Sequence, residues 1–395
     1  MRGERLRLLP WFGGAFVLLG LLLMMLSGLS FVFPDLFTFV LPGATRTPEP
    51  LIPTRTPDFT VSTSPPDAHP GTSHDASWDA SWEQSQAQGI VPPDARFRLG
   101  VSLPYGASGP YDLQALGVGW VMDWQAQLTP VLSPGIEYVQ MVRMRQDVLD
   151  PSAETLTAIA ARNPGATWLI SNEPDVRWQD NVLPATYAQL YHVAYWAIKA
   201  GDPTAIVAAG GIAQPSALRF RYLDLVLEAY AVEFGEPLPA QAWQIHNYML
   251  REERDSWGVD IPPGIPDDTG VLYEIDDSGN LEAFRQQIVD FRRWMVARGY
   301  AGQPLIVSEF GVPMPEDYGF PLERMATFMR ETWSFFLTAA DPALGNPEDG
   351  GRLVQRWCWF SMGYPLYPTG NLIDLETGAW TPLARVWMSY VNVDE

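Results

Sequence analysis

Two stretches of this 395-residue chain end a run of apolar residues directly on a carboxylate. ATWLIS (166–171) leads into Asn172-Glu173-Pro174-Asp175, and PLIVS (304–308) leads into Glu309-Phe310-Gly311. Ionising a half-buried carboxylate is costly unless it is paired or used. One such glutamate suits a structural ion pair. Two, each closing an apolar run, form a two-carboxylate site, the equipment for cleaving a glycosidic bond. One Glu protonates the leaving oxygen, and the other attacks or activates water.

Two further stretches belong with them. WQI (243–245) runs into His246-Asn247-Tyr248, where the two-residue strand period puts His246 and Tyr248 on one face. Both side chains can hydrogen-bond a carboxylate or a sugar hydroxyl. Arg356-Trp357-Cys358-Trp359-Phe360-Ser361 places two indoles on one face. Indoles stack on the apolar faces of sugars, so Trp359 is the expected glycan platform, and the deeper Trp357 belongs to the site or to the core.

The elements carrying these residues read as strands alternating with helices. Eight strand candidates span 97–103, 117–123, 137–143, 166–171, 205–211, 242–248, 304–309 and 354–361. Several are nearly continuous apolar runs, as strands covered on both faces must be. Asp150-Pro151 offers an N-cap and first-turn proline for a helix beginning near 153. Helical patterns at 185–200, 281–298 and 321–338 follow, the first two stopping at Gly201 and Gly299. The connection at 126–136 holds two prolines and is too short for an ordinary helix. The pattern predicts a (β/α)8 TIM barrel over 93–395. An open doubly wound sheet is the alternative, but it lacks a phosphate-binding glycine loop.

Two other regions precede the barrel. Arg2, Arg5 and Arg7 are followed by no charge until Asp35, and the span between includes FVLLGLLLMMLSGL. About 20 apolar residues cross a bilayer, so residues 1–42 read as a transmembrane anchor with its basic end in the cytoplasm. A cleaved signal segment, which would release a secreted barrel, is the alternative. No cysteine lies here for lipid attachment. Residues 43–92 are rich in Pro, Ser, Thr and Asp, with TRTP and DASW each occurring twice, and read as a disordered linker.

Composition narrows the classes further. A net charge of −21 repels phosphate backbones, so no nucleic-acid partner is expected. A single cysteine, Cys358, excludes an internal disulfide and any multi-cysteine metal site, and four histidines leave little room for a metal centre. No cofactor is expected. The acidic stretch 249–280 follows the sixth strand and should overhang the site. Its segment Asp276-Asp277-Ser278-Gly279-Asn280 lacks full calcium-loop spacing and reads as a solvated turn.

Taken in order, Asn172-Glu173-Pro174, His246-x-Tyr248, Ser308-Glu309-Phe310-Gly311 and a strand-eight Trp resemble the clan A retaining glycoside hydrolases, TIM-barrel enzymes of the family 5 and 39 kind. The later segments Asn371-Leu372-Ile373-Asp374 and Thr381-Pro382-Leu383-Ala384 also resemble the loop and final helix of these enzymes. The resemblance covers about residues 97–391. It implies Glu173 as acid/base, Glu309 as nucleophile, Asn172 on the sugar 2-hydroxyl, Tyr248 orienting Glu309, His246 lining the same subsite and Trp359 as platform. An arginine near the nucleophile would be Arg143 or Arg145, and Tyr105 and Trp124 are candidate sugar contacts. The resulting expectation is a membrane-tethered extracellular hydrolase acting on a β-linked oligo- or polysaccharide with retention. The alternatives are a surface carbohydrate-binding protein on the same scaffold and a transglycosylase.

Overall fold

The structure, a computed structural model, describes residues 90–104 and 111–391. The expected anchor and nearly all of the expected linker lie outside the described residues, as does Tyr105. Among the described residues, no helix is long and apolar enough to cross a membrane.

Among the described residues nine parallel strands form one sheet: β1 Leu99–Ser102, β2 Trp120–Met122, β3 Glu137–Tyr138, β4 Gln140–Val142, β5 Thr167–Ile170, β6 Ile206–Ile212, β7 Ala242–His246, β8 Leu305–Phe310 and β9 Arg356–Trp359. Their order is β3-β2-β1-β9-β8-β7-β6-β5-β4. The two ends of that order are consecutive in sequence, separated only by Val139. One strand of an eight-strand barrel is therefore broken in two. Its first half pairs with β2 and its second half with β5. The eight expected strands are all present, and the single strand expected over 137–143 is corrected to this split pair.

Among the described residues six α-helices lie outside the sheet: α1 Ala153–Arg162, α2 Pro184–Gly201, α3 Ala217–Phe234, α4 Leu281–Ala297, α5 Leu322–Thr338 and α6 Pro382–Val391. Among the described residues none lies between β1 and β4, in agreement with the short proline-bearing connection. The first cap is corrected. Ser152, not Asp150, caps α1, its side chain accepting from Thr155 N. Ser216 caps α3 and Asn280 caps α4 in the same manner. Each such cap satisfies an orphan N–H at the helix start.

Two apolar layers result from strand alternation. Outward side chains pack under the helices in the main core. Inward ones, Trp120, Met122, Met141, Leu169, Ala208, Ala242, Ile306 and Cys358, fill the barrel. Trp120 plugs its lower end, donating from Nε1 to Arg98 O at 3.0 Å beneath the Arg356 guanidinium. Its register neighbour must be Gly100, because a Cβ there would lie 2.4 Å from the indole. Every strand thus delivers its C-terminal end to the opposite rim.

Candidate active site

Glu173 follows β5 by three residues, on a backbone that turns sharply out of the barrel. Ser171 and Glu173 have φ of +70° and +46°, a region non-glycine residues seldom enter. Three contacts hold this turn. Ser171 N donates to Val142 O and Glu173 N to Gly211 O, each at 2.8 Å. Gly211 permits that approach, since a Cβ on it would lie 2.7 Å from Ser171 O. The third is Asp180, a fully buried hub whose carboxylate accepts from Arg143 Nε at 2.8 Å, Met144 N at 3.0 Å, Ser171 Oγ at 2.9 Å and Asn172 N at 2.9 Å.

Glu309 lies within β8, whose partner β7 ends beside it on His246. Its carboxylate accepts from Trp124 Nε1 at 2.6 Å and from Tyr248 Oη at 3.1 Å. His246 stands between the two glutamates. Its Nδ1 is 3.0 Å from Glu173 Oε1, and its Nε2 is 3.3 Å from Glu309 Oε1, off the line of a hydrogen bond. All three groups are buried.

Burial sets the charges. It raises the Glu173 carboxyl to about 7, against the pull of Arg219 and Arg143 and with a small push from Asp180. Burial also raises Glu309, but His246, Trp124 and Tyr248 act against that rise. The imidazole of His246 is pushed below its ordinary value by burial, so its neutral form is favoured. The Glu173–His246 contact then needs one proton between its two atoms. Either a protonated Glu173 donates it to Nδ1, or the neutral ring donates its own Nδ1–H to the Glu173 carboxylate. The two carboxyls are therefore unequal. One is surrounded by donors to its anion, and the other touches a single neutral ring.

Of the other expected residues, Asn172 is buried beside Glu173, its Oδ1 without a partner and its Nδ2 3.4 Å from Gln179 Oε1. Arg143 lies under the same segment, bound to Asp180 and Gln179 rather than to either glutamate. Arg145 is exposed, 4.0 Å from Asp180. Trp124, with φ of +59°, is a hydrogen-bond donor to Glu309 as well as part of an aromatic wall.

The glycan platform expected at Trp359 is corrected. Trp357 and Trp359 are both fully buried and point outward, under the helices. Trp357 stacks on Phe336, and Trp359 meets Phe310 edge-on while its Nε1 donates to Gly370 O at 2.8 Å. Alternation puts Cys358 inside the barrel and aims Phe360 inward at the rim. Phe360 and Tyr364, both half-buried, form the aromatic wall with Trp124, at centroid distances of 6.0, 6.5 and 5.1 Å. Tyr367 stacks behind Tyr364.

The acidic stretch 249–280 spends its carboxylates on protein partners. Arg251 takes Glu253 and Glu274, Arg177 takes Asp255 and Asp260, Arg221 takes Asp267, Arg254 takes Asp268 and Arg324 takes Asp276. Asp277 accepts from Glu274 N at 2.9 Å. Among the described residues no group of His, Cys, Asp and Glu is arranged to hold a metal ion.

Sequence reading did not single out Asp180, Gln244, Arg219, Phe360 or Tyr364. Gln244 bridges strands inside the barrel, donating to Ile170 O and Ser171 O and accepting from Ser308 Oγ. It sits two residues before His246 on the same inward face, which is the one sequence signal it carries.

No protein-family model matches the chain, and no curated protein matches it. Solved structures do. A glucosidase from Croceicoccus marinus is 13% identical with a TM-score of 0.50, covering 74% of this chain and 67% of its own. A GH128 subgroup II endo-β-1,3-glucanase from Pseudomonas viridiflava is 19% identical with a TM-score of 0.49, covering 75% of this chain and 98% of its own. A GH128 subgroup III curdlan-specific exo-β-1,3-glucanase from Blastomyces gilchristii is 17% identical with a TM-score of 0.49, covering 74% and 98%. At such identities the likeness to the glucosidase is one of fold, and the fold is a parallel α/β barrel of the TIM type.

Proposed function

We propose that the barrel is a retaining glycoside hydrolase for a β-linked glycan, with Glu309 as nucleophile and Glu173 as acid/base. The observation that carries this is the inequality of two buried carboxyls flanking one imidazole. Glu309 accepts from Trp124 and Tyr248, which favours its anion. Glu173, raised to about 7 by burial, keeps a proton to give.

The steps follow. Glu309 attacks the anomeric carbon while Glu173 protonates the departing oxygen. Water then hydrolyses the glycosyl–enzyme bond with Glu173 as base, and the configuration is retained. Asn172 Oδ1, buried without a partner, is an acceptor for a sugar hydroxyl at the cleavage point. Phe360, Tyr364 and Trp124 supply the aromatic surface for the ring. The apolar run in 1–42 and the spacer in 43–92 support a barrel held at the outer face of a membrane.

The test is the described barrel against aryl glycosides and β-glucan, mannan, xylan and chitin oligosaccharides, beside Glu173→Gln and Glu309→Gln. Expected is turnover that falls by orders of magnitude in both variants, with proton NMR showing the β-anomer formed first. Full turnover in either variant overturns the assignment. First release of the α-anomer overturns retention. Glycan binding with no turnover on the panel favours a carbohydrate-binding protein. Mass spectrometry of the membrane-associated protein tests the tether: loss of the first forty or so residues refutes it.

A further inference from the structure

Three fully buried charges lie beside the site without touching either carboxyl. Arg219, in the first turn of α3, has its Nε 2.6 Å from Asp175 Oδ2. Its Nη1 donates to Glu252 Oε1, and its Nη2 to Val259 O at 3.1 Å. All three side chains are completely excluded from solvent. The planar guanidinium meets two carboxylates and a carbonyl at once, Glu252 and Val259 through aligned N–H groups and Asp175 as an ion pair off the line of a hydrogen bond.

The partners come from different parts of the molecule. Asp175 is two residues past Glu173, on the turn that aims the acid/base, and also accepts from Ala213 N at 3.2 Å. Glu252 and Val259 belong to the long loop that leaves the barrel directly after Tyr248. Glu252 is held from several sides: Ser216 Oγ donates at 2.5 Å, Gln214 Nε2 at 3.1 Å and Val271 N at 2.9 Å. Arg219 is thus a buried point where the Glu173 turn and the 249–280 loop meet, beside the more exposed one that Arg177 makes with Asp255 and Asp260.

We infer that Arg219 is a positioning residue for the proposed reaction. Its fork fixes the Asp175 end of the acid/base turn and the 249–280 loop in one geometry, so that a bound oligosaccharide meets a preformed wall. The inference rests on the glycosidase reading, and it extends that reading to how longer glycans are held. Arg219 is also the strongest cation acting against the rise of Glu173.

The experiment compares wild type, Arg219→Lys, Arg219→Met and Glu252→Gln by two readouts. Hydrogen exchange over 249–280 needs no catalysis. Expected is at least tenfold faster exchange in Arg219→Met and in Glu252→Gln. The second readout is the pH profile and the KM for short and long oligosaccharides of the best substrate. Expected for Arg219→Met is an alkaline limb of kcat/KM moved up by about one pH unit, since an opposite charge no longer favours the Glu173 anion. KM should rise severalfold for long substrates and little for short ones. Arg219→Lys should restore the limb but not the KM, because Lys supplies charge without the fork. A lower Tm with exchange, limb and KM ratio unchanged would overturn the inference as a purely structural ion cluster. If Arg219→Met does not fold, Glu252→Gln carries the test through exchange and the KM ratio, and both unchanged overturns it. Full turnover in Glu173→Gln, with the exchange effect intact, would instead sink the glycosidase reading alone.

Discussion

Trp124 donates its indole N–H to Glu309 Oε1 at 2.6 Å across the barrel mouth. The two residues lie 185 positions apart in sequence, and the bond forms only because β2 and β8 end on the same rim. A hydrogen bond to an ionised acceptor contributes about 1.5–3 kcal/mol. Trp124→Phe keeps the ring and removes the donor. Its kcat/KM is expected to fall roughly 10–100-fold with Tm little changed, as read by steady-state kinetics and calorimetry.

The pH profile should be bell-shaped. Glu173 must carry a proton to act as acid, so activity is lost as pH rises through about 7. Glu309 must be ionised, so activity is lost as pH falls through a value above the ordinary carboxylate range. Measured kcat/KM against pH with an activated aryl glycoside, whose leaving group needs little protonation, should flatten the alkaline limb. An unchanged limb would remove Glu173 from the acid role.

The same raised carboxyl affects stability in the opposite sense to a salt-bridged one. A Glu173 whose folded value lies above its unfolded value adds stability below the unfolded value, and that contribution is lost as pH rises through about 7. Glu173→Gln, which cannot ionise, should therefore raise Tm more at pH 8 than at pH 5. Differential scanning calorimetry at the two pH values reads this directly, and equal shifts would contradict the burial argument.

Asp180 ties four donors into one carboxylate beneath the Glu173 turn. Asp180→Asn leaves Arg143 buried without its charge partner, a change that costs about 3–5 kcal/mol in comparable buried pairs. Expected are a clear drop in Tm and a loss of kcat larger than any rise in KM. Arg143→Met/Asp180→Asn together should recover part of the stability but not the activity.

Two adjacent residues at the C-terminal end of the last strand should separate cleanly. Trp359→Phe enlarges a closed space under the helices and should lower Tm while leaving oligosaccharide KM unchanged. Phe360→Ala, at the open rim, should raise KM with a smaller loss of Tm. The reverse outcome would return the sugar platform to Trp359.

These contrasts mark what a linear reading can reach. The strands, and the meeting of Glu173, His246 and Glu309 at one rim, were legible because apolar runs such as WLI at 168–170 and LIV at 305–307 stop abruptly on polar residues. The facing of Trp357-Cys358-Trp359-Phe360 was not, since all four side chains are apolar and no polar face marks which alternate set points inward. The break at Val139 was invisible for a similar reason: EYVQMV at 137–142 reads as one strand, and only pairing with two different neighbours divides it. Asp180 and Arg219 escaped because the closed fold gathers their partners from a distance, Glu252 and Asp175 from 33 and 44 positions away onto Arg219, and Arg143 and Met144 from 37 and 36 positions away onto Asp180.

The divided strand has a mechanical meaning. One stave of this barrel changes neighbours at Val139. Its lower half, Glu137–Tyr138, pairs with β2, and its upper half, Gln140–Val142, pairs with β5 while Met141 N still donates to Gln125 O at 2.9 Å and the Gln140 side chain accepts from Gln127 N at 2.6 Å. Among the described residues, no helix straps the wall between β1 and β4. Local opening should concentrate at such a thinly covered seam. The donor to one carboxyl and the strand leading to the other therefore stand on opposite sides of a broken stave, tied to each other through Gln125 and Gln127 rather than through a continuous ladder.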